Sequence, residues 1–242
     1  MASPSSVALI TGGTAGLGAA TARLLAQDGM RVAVNYHSDS TRADSLVKEL
    51  HELSPLPRDE NNFLSFRADL AVRADLIRLV DEVVSAMGRL DAVFSNGGWT
   101  KIRDITNLDD NVNEEDWDRC FNMNVKSHLF LMHAAKEHLD KTEGVFITTA
   151  SLAGVKVSGS SLAYAVTKAA QIHLAKGLAI AASPRIRDWG LSFPEEKIKQ
   201  MTDRTKLGRL ATVDDVAQQV LCFIKSKTVT GVNAVLDAGM SL

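Results

Sequence analysis

Apolar residues fall into two recurring patterns along this chain. Short apolar runs, the signature of buried strands, alternate with longer segments whose apolar positions recur every three or four residues. Val7 to Thr11 reads as a first strand, followed at once by glycines and a helix carrying Leu17, Leu24 and Leu25. Gly29 stands where a helix of that length should stop. Arg31 to Tyr36 reads as a second strand, and Thr41 to Leu53 as a helix with Leu46, Leu50 and Leu53 on one face. Pro55 and Pro57 mark a surface loop from Ser54 to Asn62. Further strands are expected at Phe63 to Arg67, Ala92 to Ser95, Val145 to Thr149 and Asn233 to Leu236. Helices are expected at Ala74 to Met87, Leu162 to Ala182 and Thr212 to Ser226, and one long helical region at Glu114 to Leu139.

Strands and helices that alternate at this spacing predict a parallel sheet with helices on both faces. The expected fold class is α/β: a Rossmann-type, doubly wound sheet in three layers. No repeat or linker divides the chain, so residues 1–242 are expected to form one domain. In such sheets ligands bind beyond the carboxyl ends of the strands, near the switch in strand order. Candidate chemistry should therefore follow the strands directly.

Composition narrows the partners. The 27 basic and 29 acidic residues leave a net charge of −2, so no broad positive field exists to hold nucleic acid or a membrane surface. No apolar run approaches the roughly 18 residues of a membrane span. Met1-Ala2-Ser3-Pro4 lacks the basic and apolar regions of a secretory signal, and only two cysteines occur. A cytoplasmic protein is expected, with Cys120 and Cys222 as small core hydrophobes.

Thr11-Gly12-Gly13-Thr14-Ala15-Gly16-Leu17-Gly18 joins the first strand to the first helix. Glycines let the backbone approach a pyrophosphate, and the helix start offers unpaired N–H groups. The same turn can be plain structural economy, but its place between strand and helix favours nucleotide binding. A carboxylate at the end of the second strand would accept from the ribose of NAD and repel a 2′-phosphate. This chain has Tyr36-His37-Ser38 there, with Asp39 further along the turn. That favours NADP, although no Arg or Lys stands inside the glycine turn.

Tyr164 and Lys168 are four apart on one helix, so phenol and ammonium share a face. A charge about 4 Å from the phenol is worth about 4 kcal/mol at an effective dielectric near 20, on the order of three pKa units before desolvation. The expectation is a phenol lowered toward neutrality. Ser151, just after the fifth strand, could hold a carbonyl oxygen while the phenol transfers a proton. Taken alone, an exposed Tyr–Lys pair and a turn serine is the commoner meaning of such residues.

Together these residues resemble the short-chain dehydrogenase/reductase family. Thr11, Gly12, Gly16 and Gly18 match its cofactor turn. Asp69 matches the acid that contacts adenine, and Ser95-Asn96-Gly97-Gly98 matches the family's Asn-Asn-Ala-Gly segment with two substitutions. Asn124, Ser151, Tyr164 and Lys168 match the catalytic tetrad, and Thr230-Gly231 through Asp237-Ala238-Gly239 resembles the C-terminal end. The resemblance implies hydride transfer between a nicotinamide cofactor and a small carbonyl or alcohol substrate, without metal. Tyr164 would be the general acid or base, and Lys168 would lower its pKa and hold the nicotinamide ribose. Ser151 would orient the substrate, and Asn124 would hold a relay water. Thr14, Ala15, Leu17, Leu70, Gly97, Gly98 and Thr149 would join the cofactor contacts. The two long helices resemble the family's dimer-forming pair, implying a homodimer or homotetramer. Trp99, Trp189 and Phe193 are candidate walls of an apolar substrate pocket.

The sequence departs from the family after Arg187. The family continues there into a sixth strand, Val-Asn-x-x-x-Pro-Gly, whereas Arg187 runs directly into Asp188-Trp189-Gly190. The expectation is a strand missing between Arg187 and Asp188, with the two residues too far apart in space for one peptide bond. Should the strand be truly absent, the alternative is a nucleotide-binding relative without turnover. A methyltransferase on a similar sheet would be expected to lack the Tyr-x-x-x-Lys helix.

Overall fold

The computed structural model describes residues 6–182, 185–188, 211–226 and 229–236. In chain order the elements are β1 (Val7–Ile10), α1 (Gly16–Gln27), β2 (Arg31–Tyr36), α2 (Ser40–Leu53), β3 (Phe63–Arg67), α3 (Arg73–Met87) and β4 (Ala92–Ser95). They continue through α4 (Glu114–Phe121), α5 (Ser127–Thr142), β5 (Val145–Thr148), α6 (Leu162–Ala182), β6 (Arg185–Asp188), α7 (Val213–Lys225) and β7 (Val232–Asn233). The strands form one parallel sheet in the order β3-β2-β1-β4-β5-β6-β7.

Burial on both faces explains the unbroken apolar strands. β1, β4 and β5 are buried along their whole lengths, as a sheet sandwiched by helices requires. Leu9, Val93 and Phe146 meet Leu79 of α3, Leu131 of α5 and Leu178 of α6 on one face. Ile10, Phe94 and Ile147 meet Leu25 of α1, Leu50 of α2 and Val220 of α7 on the other. Each such side chain contributes about 1.5–3 kcal/mol on burial. The chain runs outward from β1 to β3, then returns to place β4 on the other side of β1. The crevice at that reversal is where the glycine turn and the Ser95–Gly98 segment meet.

Two predicted elements need correction. The helical region expected as one piece from Glu114 to Leu139 is split by a single π-helical turn, Asn122–Lys126. Asn124 sits in that turn and is fully buried. The last strand is Val232–Asn233 and not Asn233 to Leu236, because it pairs only with Arg187 and Asp188.

The expected gap at β6 is also corrected. Arg185–Asp188 is itself the sixth strand, in register with β5 from Val145↔Arg185 to Thr148↔Asp188. Arg187 and Asp188 occupy consecutive register positions, paired on the other side with Val232 and Asn233. Ladder pairing needs only the N–H and C=O that every residue here carries, so a strand with three charged residues of four satisfies its neighbours' backbones. The family's Pro-Gly turn after this strand has no counterpart in the sequence. Trp189 and Phe193 lie outside the described residues.

Candidate active site

The turn between β1 and α1 is shaped by steric necessity. Gly12 and Gly16 have φ of +56° and +48°, a region that favours glycine. A Cβ on Gly18 would fall 2.4 Å from the Gly12 carbonyl oxygen, and one on Gly13 would fall 2.9 Å from the Ile10 oxygen. A Cβ on Gly16 would meet nothing within 4 Å, so that position faces open space. Ala15 precedes α1 in extended conformation and supplies no side-chain cap, and the first turn of α1 holds no acid. Among the described residues the leading N–H groups of α1 therefore lack a side-chain acceptor, as an anion site requires. Gly12, Ala15 and Gly16 are exposed, and Thr14 and Leu17 half-buried. This cradle fits the pyrophosphate of a dinucleotide.

Neighbouring segments hold the cradle. The Asn96 and Gly97 N–H groups donate to Thr11 Oγ1 at 2.9 and 3.1 Å. Asn96 Nδ2 donates to the Thr11 carbonyl, and Thr149 Oγ1 donates to Asn96 Oδ1 at 3.2 Å. A Cβ on Gly97 would lie 2.1 Å from Leu70 Cδ1, so Leu70 packs where only glycine fits. Asp69 caps its own turn by accepting from the Ala71 N–H at 2.9 Å.

Two contributors escape a reading by motif. Asn35, 2% exposed, accepts from the Gly12 N–H and donates to the Ala68 carbonyl, tying β2 to the glycine turn. Its signal was a lone amide following the buried apolar run Val32, Ala33 and Val34. Arg67, at the end of β3, donates to the His37 carbonyl at 3.1 Å and so brings a cation beside the Tyr36–Ser38 turn. Only the pairing of β2 with β3 places it there. Asp39 is engaged elsewhere: it accepts from the Arg42 N–H at the start of α2 and pairs with the Arg42 guanidinium at 3.2 Å.

A cleft of about 360 Å³ joins this cradle to the Tyr164 helix. Gly16, Leu17, Asn96, Gly98, Trp99, Thr149, Tyr164 and Lys168 line it, with Val213 and Val216 of α7. The Trp99 ring carries the Arg119 guanidinium 4.6 Å above it. Asn124 clamps the Trp99 backbone: Oδ1 accepts from its N–H at 2.7 Å and Nδ2 donates to its carbonyl at 2.8 Å. The second amide hydrogen goes to Thr167 Oγ1 at 3.1 Å. Both donor positions of the Asn124 side chain are thus taken by protein, and the side chain holds the Trp99 backbone.

Ser151 caps a single helical turn after β5 by accepting from the Ala153 N–H, and its hydroxyl is near enough to the Tyr164 phenol to favour the ionised form. Burial pushes the phenol up to about 12, against the opposing effect of Ser151; Cys120 adds a smaller upward push. The expected lowering by Lys168 is therefore corrected. Lys168 Nζ lies 5.7 Å from the ring centre, and donates to the Thr149 carbonyl at 2.7 Å and Gln171 Oε1 at 2.9 Å. Cys120 is buried, and burial raises its thiol to about 11. Cys222 is exposed on α7, contrary to its expected core position, because the apolar face of α7 runs through Val216, Val220 and Phe223.

Comparison with known proteins agrees with this geometry. The short chain dehydrogenase family model matches residues 6–187 and so ends where the sequence departs from the family's pattern. Glucose and ribitol dehydrogenase homolog 2 of Arabidopsis thaliana is 30% identical over 226 residues, covering 87% of this chain and 76% of that protein. A 3-oxoacyl-(acyl-carrier-protein) reductase of Staphylococcus aureus is 28% identical over 248 residues, covering 96% of this chain and 97% of its own. Among solved structures, a short-chain dehydrogenase/reductase from Serratia marcescens superposes with a TM-score of 0.86 at 25% identity, over 98% of each chain.

Proposed function

Because the chain belongs to the short-chain dehydrogenase/reductase family, we propose that it interconverts a small ketone and the matching secondary alcohol with NADP(H). One observation carries this reading: Tyr164 and Lys168 open into the same cleft as the uncapped start of α1. The cofactor, when bound, supplies or accepts the hydride. Thr11 to Gly18 would hold its pyrophosphate, Asp69 and Leu70 its adenine, and Asn96, Gly97, Gly98 and Thr149 the wall beside its ribose. Lys168 would donate to the nicotinamide ribose.

In reduction Tyr164 donates the phenolic proton to the carbonyl oxygen. A phenol held protonated by burial suits that direction. Ser151 orients the substrate oxygen beside it, and Asn124 acts by fixing Trp99 at the cleft wall. The ketone is supported by the Staphylococcus aureus relative, which by its name is a 3-oxoacyl reductase. NADP is supported by Tyr36, His37 and Ser38 at the end of β2, by the engagement of Asp39 with Arg42, and by Arg67 alongside. A homodimer or homotetramer is supported by exposed Leu129, Val166 and Ile180 on α5 and α6. We further read residues 1–242 as one cofactor-binding domain, acting in the cytoplasm. The alternative, a nucleotide-binding relative without turnover, rests on the segment absent between Arg187 and Asp188 and its Pro-Gly turn, while β6 fills the strand's place in the sheet.

Replacing Tyr164 by Phe tests the assignment. Turnover should fall by about 10²–10⁴-fold while cofactor affinity is retained, since the cradle is untouched. A near-normal kcat removes Tyr164 from the chemistry.

A further inference from the structure

Behind the cleft, two buried nitrogen atoms have no hydrogen-bond partner among the described residues: His128 Nε2 and Gln171 Nε2. His128 is 1% exposed and Gln171 0%. A buried donor or acceptor left unpaired carries its full desolvation cost, so each requires a partner. Each atom is also the far end of a side chain whose other end is bound. His128 Nδ1 shares a 2.6 Å hydrogen bond with Ser95 Oγ, and Gln171 Oε1 accepts from Lys168 Nζ at 2.9 Å.

The fold brings the two side chains onto one side of the sheet. Ser95 lies in register with Thr148, next to the Thr149 carbonyl that accepts from Lys168. Leu131 and Met132 of α5 and Ala175 and Leu178 of α6 pack in the same apolar layer. Burial, and after it the Lys168 charge, holds the His128 imidazole neutral.

We propose that His128 and Gln171 are positioning residues for Lys168, joined by one internal water that both orphan nitrogens bind. A water with two to four polar partners is the usual occupant of such a site. The water accepts from the Gln171 amide and, according to the imidazole tautomer, accepts from or donates to His128 Nε2. Ser95, His128, water, Gln171, Lys168 and Thr149 then form one buried hydrogen-bonded chain across β4, α5, α6 and the segment that follows β5. Its effect is directional. With its nitrogen end tied to the water, the Gln171 amide keeps its oxygen toward Lys168; flipped, it would set N–H groups against the ammonium. Holding the ammonium at both Thr149 and Gln171 fixes its position and orientation.

The proposal rests on the reading that Lys168 holds the cofactor ribose, and its test separates the two. NADPH affinity is titrated by fluorescence for Gln171→Leu, His128→Leu, the double variant and Gln171→Glu. Gln171→Leu should weaken binding about tenfold or more, the scale of a hydrogen bond to a charged group. Gln171→Glu, which keeps an acceptor toward Lys168, should retain affinity. The double variant should be no worse than Gln171→Leu alone, because one break severs the chain. Additive losses, or unchanged affinity in Gln171→Leu, overturn the proposal. An arm without cofactor uses the ¹⁵N histidine spectrum: Gln171→Leu should move the His128 Nε2 signal, and an unmoved signal overturns the water link. If Lys168→Met leaves NADPH affinity unchanged, the ribose assignment fails, and the spectrum still decides the link.

Discussion

Lys168 follows Tyr164 by one turn of α6, yet its ammonium bonds the Thr149 carbonyl at 2.7 Å and lies 5.7 Å from the centre of the phenol ring. The neutral acceptors Thr149 and Gln171 hold the ammonium, and burial dominates the Tyr164 pKa.

The ionisation of Tyr164 should therefore lie above the ordinary tyrosine range in the cofactor-free protein. The chain has two tyrosines, so the difference in ultraviolet titration between the protein and its Tyr164→Phe variant isolates Tyr164. No tyrosinate from Tyr164 should develop below about pH 10. The sign for catalysis follows: the acid form needed for reduction persists across neutral pH, while oxidation, which needs the base, accelerates as pH rises. Tyrosinate appearing near neutrality would restore the strong Lys168 effect expected from helical spacing.

Cofactor preference should follow the end of β2. NADPH should bind more tightly than NADH, and Tyr36→Asp should shift the preference toward NADH by setting a carboxylate against the 2′-phosphate. Arg67→Ala should weaken NADPH more than NADH, since its guanidinium stands beside His37. Tighter NADH binding by the unaltered protein sinks the assignment.

Glycine substitutions should separate cradle from scaffold. Gly18→Ala places a methyl 2.4 Å from the Gly12 oxygen, and overpacking of this kind costs about 1–3 kcal/mol and displaces the turn. Cofactor affinity should drop with it. Gly177→Ala, in α6 with nothing within 4 Å, should instead stabilise by about 0.5–1 kcal/mol and leave binding alone. Equal binding by both variants would show that the glycine turn does not hold the cofactor.

Acid stability should report His128. Burial, then the Lys168 charge, lowers its imidazole from 6.5 to about 3. The unfolded chain takes up this proton below about pH 6.5 and the folded one does not, so stability present above that pH is lost as pH falls toward 3. The slope approaches about 1.4 kcal/mol per pH unit for one proton. Denaturant melts of His128→Gln should show a shallower decline over this window. A parallel decline in both proteins would falsify the assignment.

Much of the site was legible in the sequence because its signals are local. The glycines of the first turn, the four-residue spacing of Tyr164 and Lys168, and Ser151 after β5 each follow from one segment and its place in the αβ alternation. Asn35, Arg67 and Gln171 were not legible. Asn35 acts through Gly12, Arg67 through His37, and Gln171 through Lys168 and the water proposed with His128. β6 failed for a related reason: side-chain character flags a strand, but backbone pairing with β5 and β7 makes one.

The sequence by itself determined the fold class and the order of chemistry along the chain, because hydrophobic period and turn residues act within a few residues of themselves. Only the tertiary structure decided which way charges and amides point. Lys168 turns to Thr149, Asn124 to Trp99, and Asp39 to Arg42. A buried polar group takes whatever acceptor the packed elements bring within about 3 Å, and those acceptors come from strands and turns far away in sequence.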